Sequence, residues 1–140
     1  KENDLNNCEV ISDNKIKSYI LKKSVFAVSK SGTISLEICN AKIPSIIIYK
    51  MSLINFFIIK MLVKIKYANI INIAAKEEII PELLQFNCNP KKIFENVSNF
   101  LENPEKINEQ IKKTQLIINN FKTKKPSSLQ AATILNRFLN

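Results

Sequence analysis

Histidine is absent from all 140 residues, so serine–histidine, cysteine–histidine and histidine–metal chemistries have no means of operating here. The residues left with chemistry to do gather around the single glycine of the chain, Gly32. Average usage of roughly 7% predicts about ten glycines in this length, so a lone one marks backbone that needs a positive φ or a close approach. Ser31 and Thr33 flank it where a helix is expected to start, and Glu37 follows Thr33 by one helical turn on the same face. Amide groups and hydroxyls at a helix N-terminus attract an anion. A carboxylate one turn on would repel a bare phosphate but accepts two hydrogen bonds from a ribose diol. That combination fits a nucleoside diphosphate. It equally fits a plain helix cap followed by a surface charge, and these residues alone leave both readings open. No Walker pattern and no Gly-x-Gly-x-x-Gly occurs.

The elements that must hold this turn are expected in the order β, α, β, turn, α, β, a parallel crossover pattern. Residues 8–12 are a short strand candidate closed by Asp13-Asn14, and Ile16, Tyr19 and Ile20 recur at helical spacing up to Lys23. Residues 25–28 read as a buried strand feeding the turn. A helix over 34–41 is stopped by Pro44, and 45–49 reads as a buried strand with Tyr49 and Lys50 at its rim. Residues 53–64 are apolar nearly all round. They suit either a core helix or an interfacial helix with Phe56, Phe57, Ile58 and Met61 in a membrane surface and Lys60 and Lys64 on lipid phosphates.

Residues 67–73 are predicted to be extended, which puts Asn72 at the carboxyl end of a strand, where open α/β sheets bind ligands. Residues 77–86 read as a short helix starting at Pro81, with Glu82 and Gln85 on one face. Asn89-Pro90 opens a helix to Leu101 with Ile93, Val97 and Leu101 as its buried stripe. Asn103-Pro104 opens another to about Phe121, 122–126 is a basic linker, and Ser127-Ser128 caps a last helix ending at Leu139.

Composition bounds the rest. The length supports one domain, and 46% hydrophobic with 24% charged residues is ordinary for a globular chain. The net charge of +9 invites an anionic partner. Arg137 is the one arginine, though, and the abundance of Ile, Asn and Lys follows AT-rich codons. Without aromatic residues interleaved in basic patches, a nucleic-acid partner is not expected. Cys8, Cys39 and Cys88 are too widely spaced for a zinc site and read as reduced, mostly buried thiols of a cytosolic protein. The first twenty residues lack a signal peptide's pattern. The apolar stretch 46–63 divides near Met51-Ser52 and is not expected to span a membrane. A chain starting at Lys1 is expected to be a fragment or a processed piece.

Lys30-Ser31-Gly32-Thr33, Leu36-Glu37, Ala41, Pro44 and Tyr49-Lys50 resemble the C-terminal lobe of the lipid-A-disaccharide synthases. The likeness continues through Leu62-Val63-Lys64, Tyr67, Asn72, Pro81-Glu82-Leu83-Leu84-Gln85 and Ala131-Ala132. It implies an α/β fold, a Rossmann-like parallel sheet with flanking helices, as the nucleotide-binding lobe of a GT-B glycosyltransferase followed by C-terminal helices. By this likeness residues 1–125 are the UDP-binding lobe, and 126–140 a helix crossing to an N-terminal lobe or a partner subunit. The implied reaction joins UDP-2,3-diacylglucosamine to 2,3-diacylglucosamine 1-phosphate, giving the β-1,6 lipid A disaccharide and UDP.

Ser31, Gly32, Thr33 and Glu37 would then hold UDP. Asn72, Glu82 and Gln85 would line the donor-sugar and leaving-group side, with Tyr49 and Lys50 as weaker members of the same rim. The general base is expected in the N-terminal lobe, so the fragment alone would be inactive. The resemblance implies no metal and no cofactor beyond the UDP-linked donor. It also implies a peripheral place on the cytoplasmic face of the inner membrane, and a homodimer as one form of partner. The pattern departs from the family at Ile71, where proline is common, and at 73–76, which lacks the usual glycine. The alternatives are a related UDP-sugar enzyme, a peptidoglycan N-acetylglucosaminyl transferase or a UDP-N-acetylglucosamine 2-epimerase, or a non-catalytic basic module that associates with membranes.

Overall fold

The computed structural model describes residues 7–62, 66–122 and 126–139. Three strands, β1 (Ala27–Ser29), β2 (Ser45–Tyr49) and β3 (Glu82–Leu84), form a parallel sheet in the order β1-β2-β3. The register places Val28 beside Ile46 and Ile48 beside Leu83. The helices are α1 (Asn14–Lys23), α2 (Thr33–Asn40), α3 (Leu53–Leu62), α4 (Ile70–Ala75), α5 (Pro90–Leu101), α6 (Pro104–Phe121) and α7 (Ser127–Leu139).

The run Ile46-Ile47-Ile48 makes β2 the centre of the molecule, because alternating side chains of a strand enter opposite faces. Ile47 joins Cys39 of α2, Ile71 of α4, Ile80 and Ile118 of α6 on one face. Ile46 joins Leu83 of β3 and Phe100 of α5 on the other, with Phe26, Ile48, Ile93 and Val97 packed around them. The Phe26 and Phe100 rings meet at 5.5 Å between centroids. A parallel sheet covered by helices on both faces suits a central strand apolar from Ile46 to Ile48. Gln110 of α6, itself buried, fastens the start of β2: its Oε1 accepts from Ser45 N–H at 2.7 Å, and its Nε2 donates to the carbonyls of Ser45 and Ile79 at 3.0 and 3.1 Å.

The strand and helix expectations over 25–62 and 89–139 hold to within two residues at most ends. Three of the expected elements are corrected. Residues 8–12 form no strand, and Val10 is 94% exposed. Residues 67–73 are not extended: Asn69 caps α4, its Oδ1 accepting from Ile71 N–H at 2.9 Å, and Asn72 lies inside that helix. Residues 77–86 are not a helix. Pro81 leads into β3, whose pairing with β2 supplies the hydrogen bonds a helix would have made within itself, and Gln85–Asn87 form a 3-10 turn. In α5 the buried position is Phe100, while Leu101 is half exposed. Cys8 is exposed and Cys39 buried, so the thiols are not uniformly interior.

Candidate functional site: the carboxyl edge of the sheet

All three strands end on one edge, so the residues following Ser29, Tyr49 and Leu84 share it. β1 runs into Lys30-Ser31-Gly32, and α2 begins at Thr33. Gly32 has φ 146° and ψ −166°, a region essentially restricted to glycine. A Cβ built there would meet nothing within 4 Å, so the glycine is required by backbone conformation and not by crowding. Its carbonyl accepts from both the N–H and the hydroxyl of the buried Ser35, at 3.1 and 2.7 Å. Among the described residues no side chain caps α2, and its first turn carries no acidic residue. The N-terminal amides of α2 therefore keep the field that favours an anion.

Ser31 donates its hydroxyl to the carbonyl of Ala68 at 2.7 Å, which commits its proton and ties the turn to the segment before α4. Glu37 pairs with Lys17 of α1 at 3.0 Å, both side chains about half exposed. At such exposure the pair contributes at most about 1 kcal/mol. Lys30 Nζ lies 5.5 Å from the centroid of the Tyr49 ring, and Lys50 is exposed beside it.

Of the other expected site residues, Gln85 follows β3 on this edge, whereas Glu82 opens β3 opposite Ile47 in mid-β2 and Asn72 is bonded to the segment leading into β3. Asn72 is fully buried. Its Oδ1 accepts from Ile79 and Ile80 N–H, each at 2.9 Å, while its Nδ2 donates to Ile80 O at 2.7 Å and Glu82 Oε1 at 2.8 Å. Glu82 also accepts from Ala68 N–H at 2.7 Å and Asn69 N–H at 3.0 Å. Gln85, buried with φ 51°, accepts from Met51 N–H at 2.9 Å and donates to Met51 O at 3.3 Å, clasping the loop after β2. Gln85 thus fixes the loop after β2, Glu82 holds the segment before α4, and Asn72 holds the segment leading into β3. Ala68 and Asn69 of this network, Ser35 beneath Gly32 and Lys17 beside Glu37 were not picked out from the sequence; the signal available was Asn69 standing one residue ahead of an Ile-rich turn, as an N-cap does. Ser29 Oγ and Asn69 Nδ2, both buried at this edge, have no hydrogen-bond partner among the described residues.

Phe57 and Met61 of α3 are 57% and 84% exposed, and Leu53 and Ile54 are exposed beside them, whereas Phe56 is half-buried. The side chains of Ile58, Ile59 and Leu62 lie outside the described residues, and with them the core-helix expectation for α3. The side chain of Lys60 and all of Lys64 lie outside the described residues. No described helix is long and apolar enough to cross a membrane. No three His, Cys, Asp or Glu side chains converge among the described residues.

A cleft of about 360 Å³ opens at the opposite, amino edge, between α5, α6 and residues 77–81. Of its two lysines, Lys113 is held by Glu77 at 2.6 Å and Glu109 at 3.0 Å, and Lys106 donates to Asn99 Oδ1 at 2.6 Å. The carboxylate hydrogen bonds, Glu77's first, raise the Lys113 ammonium pKa. With Glu77, Glu78 and Glu109 lining it beside its two lysines, that cleft offers less to an anion than the carboxyl edge does.

Residues 1–135 match the family model described as lipid-A-disaccharide synthetase. The lipid-A-disaccharide synthase of Rickettsia felis is 40% identical over 133 residues, which are 93% of this chain and 34% of that protein. That of Rickettsia bellii is 38% identical over the same length and shares, and that of Rickettsia conorii 48% identical over 92 residues, 66% of this chain and 21% of that protein. The chain spans about a third of the length of the curated relatives it matches. This chain belongs to the lipid-A-disaccharide synthase family.

Proposed function

We propose that residues 1–125 are the C-terminal, UDP-binding lobe of a GT-B lipid-A-disaccharide synthase, with 126–140 crossing to the other lobe or to a partner subunit. The observation that carries this reading is the turn at Gly32, which presents an uncapped helix N-terminus at the carboxyl edge of a parallel sheet. In this reading the amides of the 31–33 turn take the diphosphate, and Glu37 takes the ribose hydroxyls. Asn72, Glu82 and Gln85 frame the donor-sugar side by fixing its loops, with Tyr49 and Lys50 at the rim. The acceptor's 6-hydroxyl oxygen bonds to the anomeric carbon of UDP-2,3-diacylglucosamine as the carbon–phosphate oxygen bond breaks. Its proton goes to a base on the N-terminal lobe. The charge growing on departing UDP meets preorganised amides.

The exposed apolar face of α3 would rest on the cytoplasmic surface of the inner membrane, where the acylated substrates lie. Phe56→Ser with Phe57→Ser is expected to weaken binding of the chain to anionic liposomes.

Calorimetry of UDP against the chain tests the reading. Two hydrogen bonds to a carboxylate are worth enough that Glu37→Ala should weaken UDP by about tenfold or more, with the fold intact by thermal melting. A folded chain that binds UDP no more tightly than uridine would overturn it.

A further inference from the structure

Glu82 does not need to touch a ligand to govern the turn at Gly32. Its carboxylate accepts from Ala68 N–H at 2.7 Å, Asn69 N–H at 3.0 Å and Asn72 Nδ2 at 2.8 Å. Ala68, held at its amide by Glu82, receives at its carbonyl the Ser31 hydroxyl at 2.7 Å. One peptide segment therefore connects a side chain of β3 to the residue preceding Gly32, across 14 and 37 positions of sequence. We infer that Glu82 is a positioning residue for the anion-binding turn, acting through the backbone of Ala68 on Ser31 and not by contact with the donor.

The inference rests on the reading of the 31–33 turn as the diphosphate site. Its chemistry is specific to a carboxylate. Three donors converge on two oxygens, and an amide in the same place has one oxygen and an NH₂ that cannot accept. Glu82→Gln must leave at least one of the three donors facing a donor. The Ser31 end is the lighter handle, because Ser31 lies at the surface side of the link and its replacement empties no core position.

Gly32 is the single glycine, so its amide resonance reports the turn without ambiguity and without any nucleotide present. In the free 140-residue chain, Glu82→Gln and Ser31→Ala are both expected to displace the Gly32 resonance, and Ser31→Thr, which keeps the hydroxyl, to restore it. Each of the first two should weaken UDP by about three- to tenfold, and the double variant should be no weaker than the more damaging single one, as for residues acting through one link.

A Gly32 resonance unmoved by Glu82→Gln overturns the link. Losses that add in the double variant overturn it too, because they place Glu82 in direct contact with the ligand. If Glu82→Gln fails to fold, Ser31→Ala decides the matter from the other end: the Ala68 and Asn69 amides must shift, and stationary ones overturn the inference. A parent chain that binds no UDP while these resonances move separates the two claims, since it leaves the link standing and removes the anion it was to position.

Discussion

Replacing Asn72 by aspartate changes one NH₂ into an oxygen and leaves the shape of the side chain alone. Asn72 is fully buried, and that NH₂ donates to Ile80 O at 2.7 Å and Glu82 Oε1 at 2.8 Å. In the variant both acceptors face an oxygen. Each lost donation costs about 1–3 kcal/mol, and two carboxylates at such a separation repel by several kcal/mol until one takes up a proton. A net loss of about 3–6 kcal/mol follows, a large part of the 5–15 kcal/mol typical of a domain. Urea unfolding followed by circular dichroism reads it as a lower midpoint. The sign with pH is also set: the folded variant retains a proton that the unfolded chain releases, so stability is present at low pH and lost as the pH rises. The gap to the parent should therefore narrow on acidification. Unchanged stability at neutral pH, or a gap that widens toward low pH, would refute the assignment of these bonds.

Gly32→Ala should cost about 1–3 kcal/mol from backbone strain alone, because a Cβ there meets nothing within 4 Å; a thermal melt unchanged by the substitution would contradict the positive φ. Gln110→Ala strands Ser45 N–H and two carbonyls at the start of β2, and an unfolding free energy lower by about 2–4 kcal/mol is expected. Burial pushes the Cys39 thiol from 9.0 up to about 11. The folded state thus favours the neutral thiol, and its contribution is complete below pH 9 and lost as the pH rises through 11. At about 1.4 kcal/mol per unit, the parent should lose roughly 2–3 kcal/mol more than Cys39→Ala over that interval. A thiol reagent should label the exposed Cys8 in the native protein and reach Cys39 only on unfolding.

Where local pattern and tertiary demand agree, the elements were legible. The Ser45–Tyr49 run has no polar residue after its first and pairs on both sides. Asn89-Pro90 supplied both a capping side chain and a first-turn proline for α5, and Asn89 Oδ1 does accept from Lys92 N–H. The segment 67–86 was misread because its local preferences point the wrong way. Ile70, Ile71 and Ile73 are β-branched and suggest a strand, yet the Asn69 cap and the four bonds of Asn72 hold a short helix. Glu82, Leu83 and Leu84 are good helix formers, yet the open edge of β2 recruits them as a strand. Propensities of a few tenths of a kcal/mol per residue yield to such pairing. The positive φ at Gly32 was legible because a composition so poor in glycine makes one conspicuous. The way Ala68 and Glu82 support the turn was not, because no short-range pattern encodes a bond across 37 residues.

The central claim is that a nucleoside diphosphate binds at the carboxyl edge of this sheet. Titrating the isotope-labelled chain with UDP and following amide resonances tests it most directly. The account predicts saturable shifts concentrated at Ser31, Gly32, Thr33 and Ile34, with Glu77, Gln110 and Lys113 at the amino edge unmoved. Shifts confined to the amino-edge cleft, or a folded chain whose Gly32 resonance ignores UDP, would contradict it.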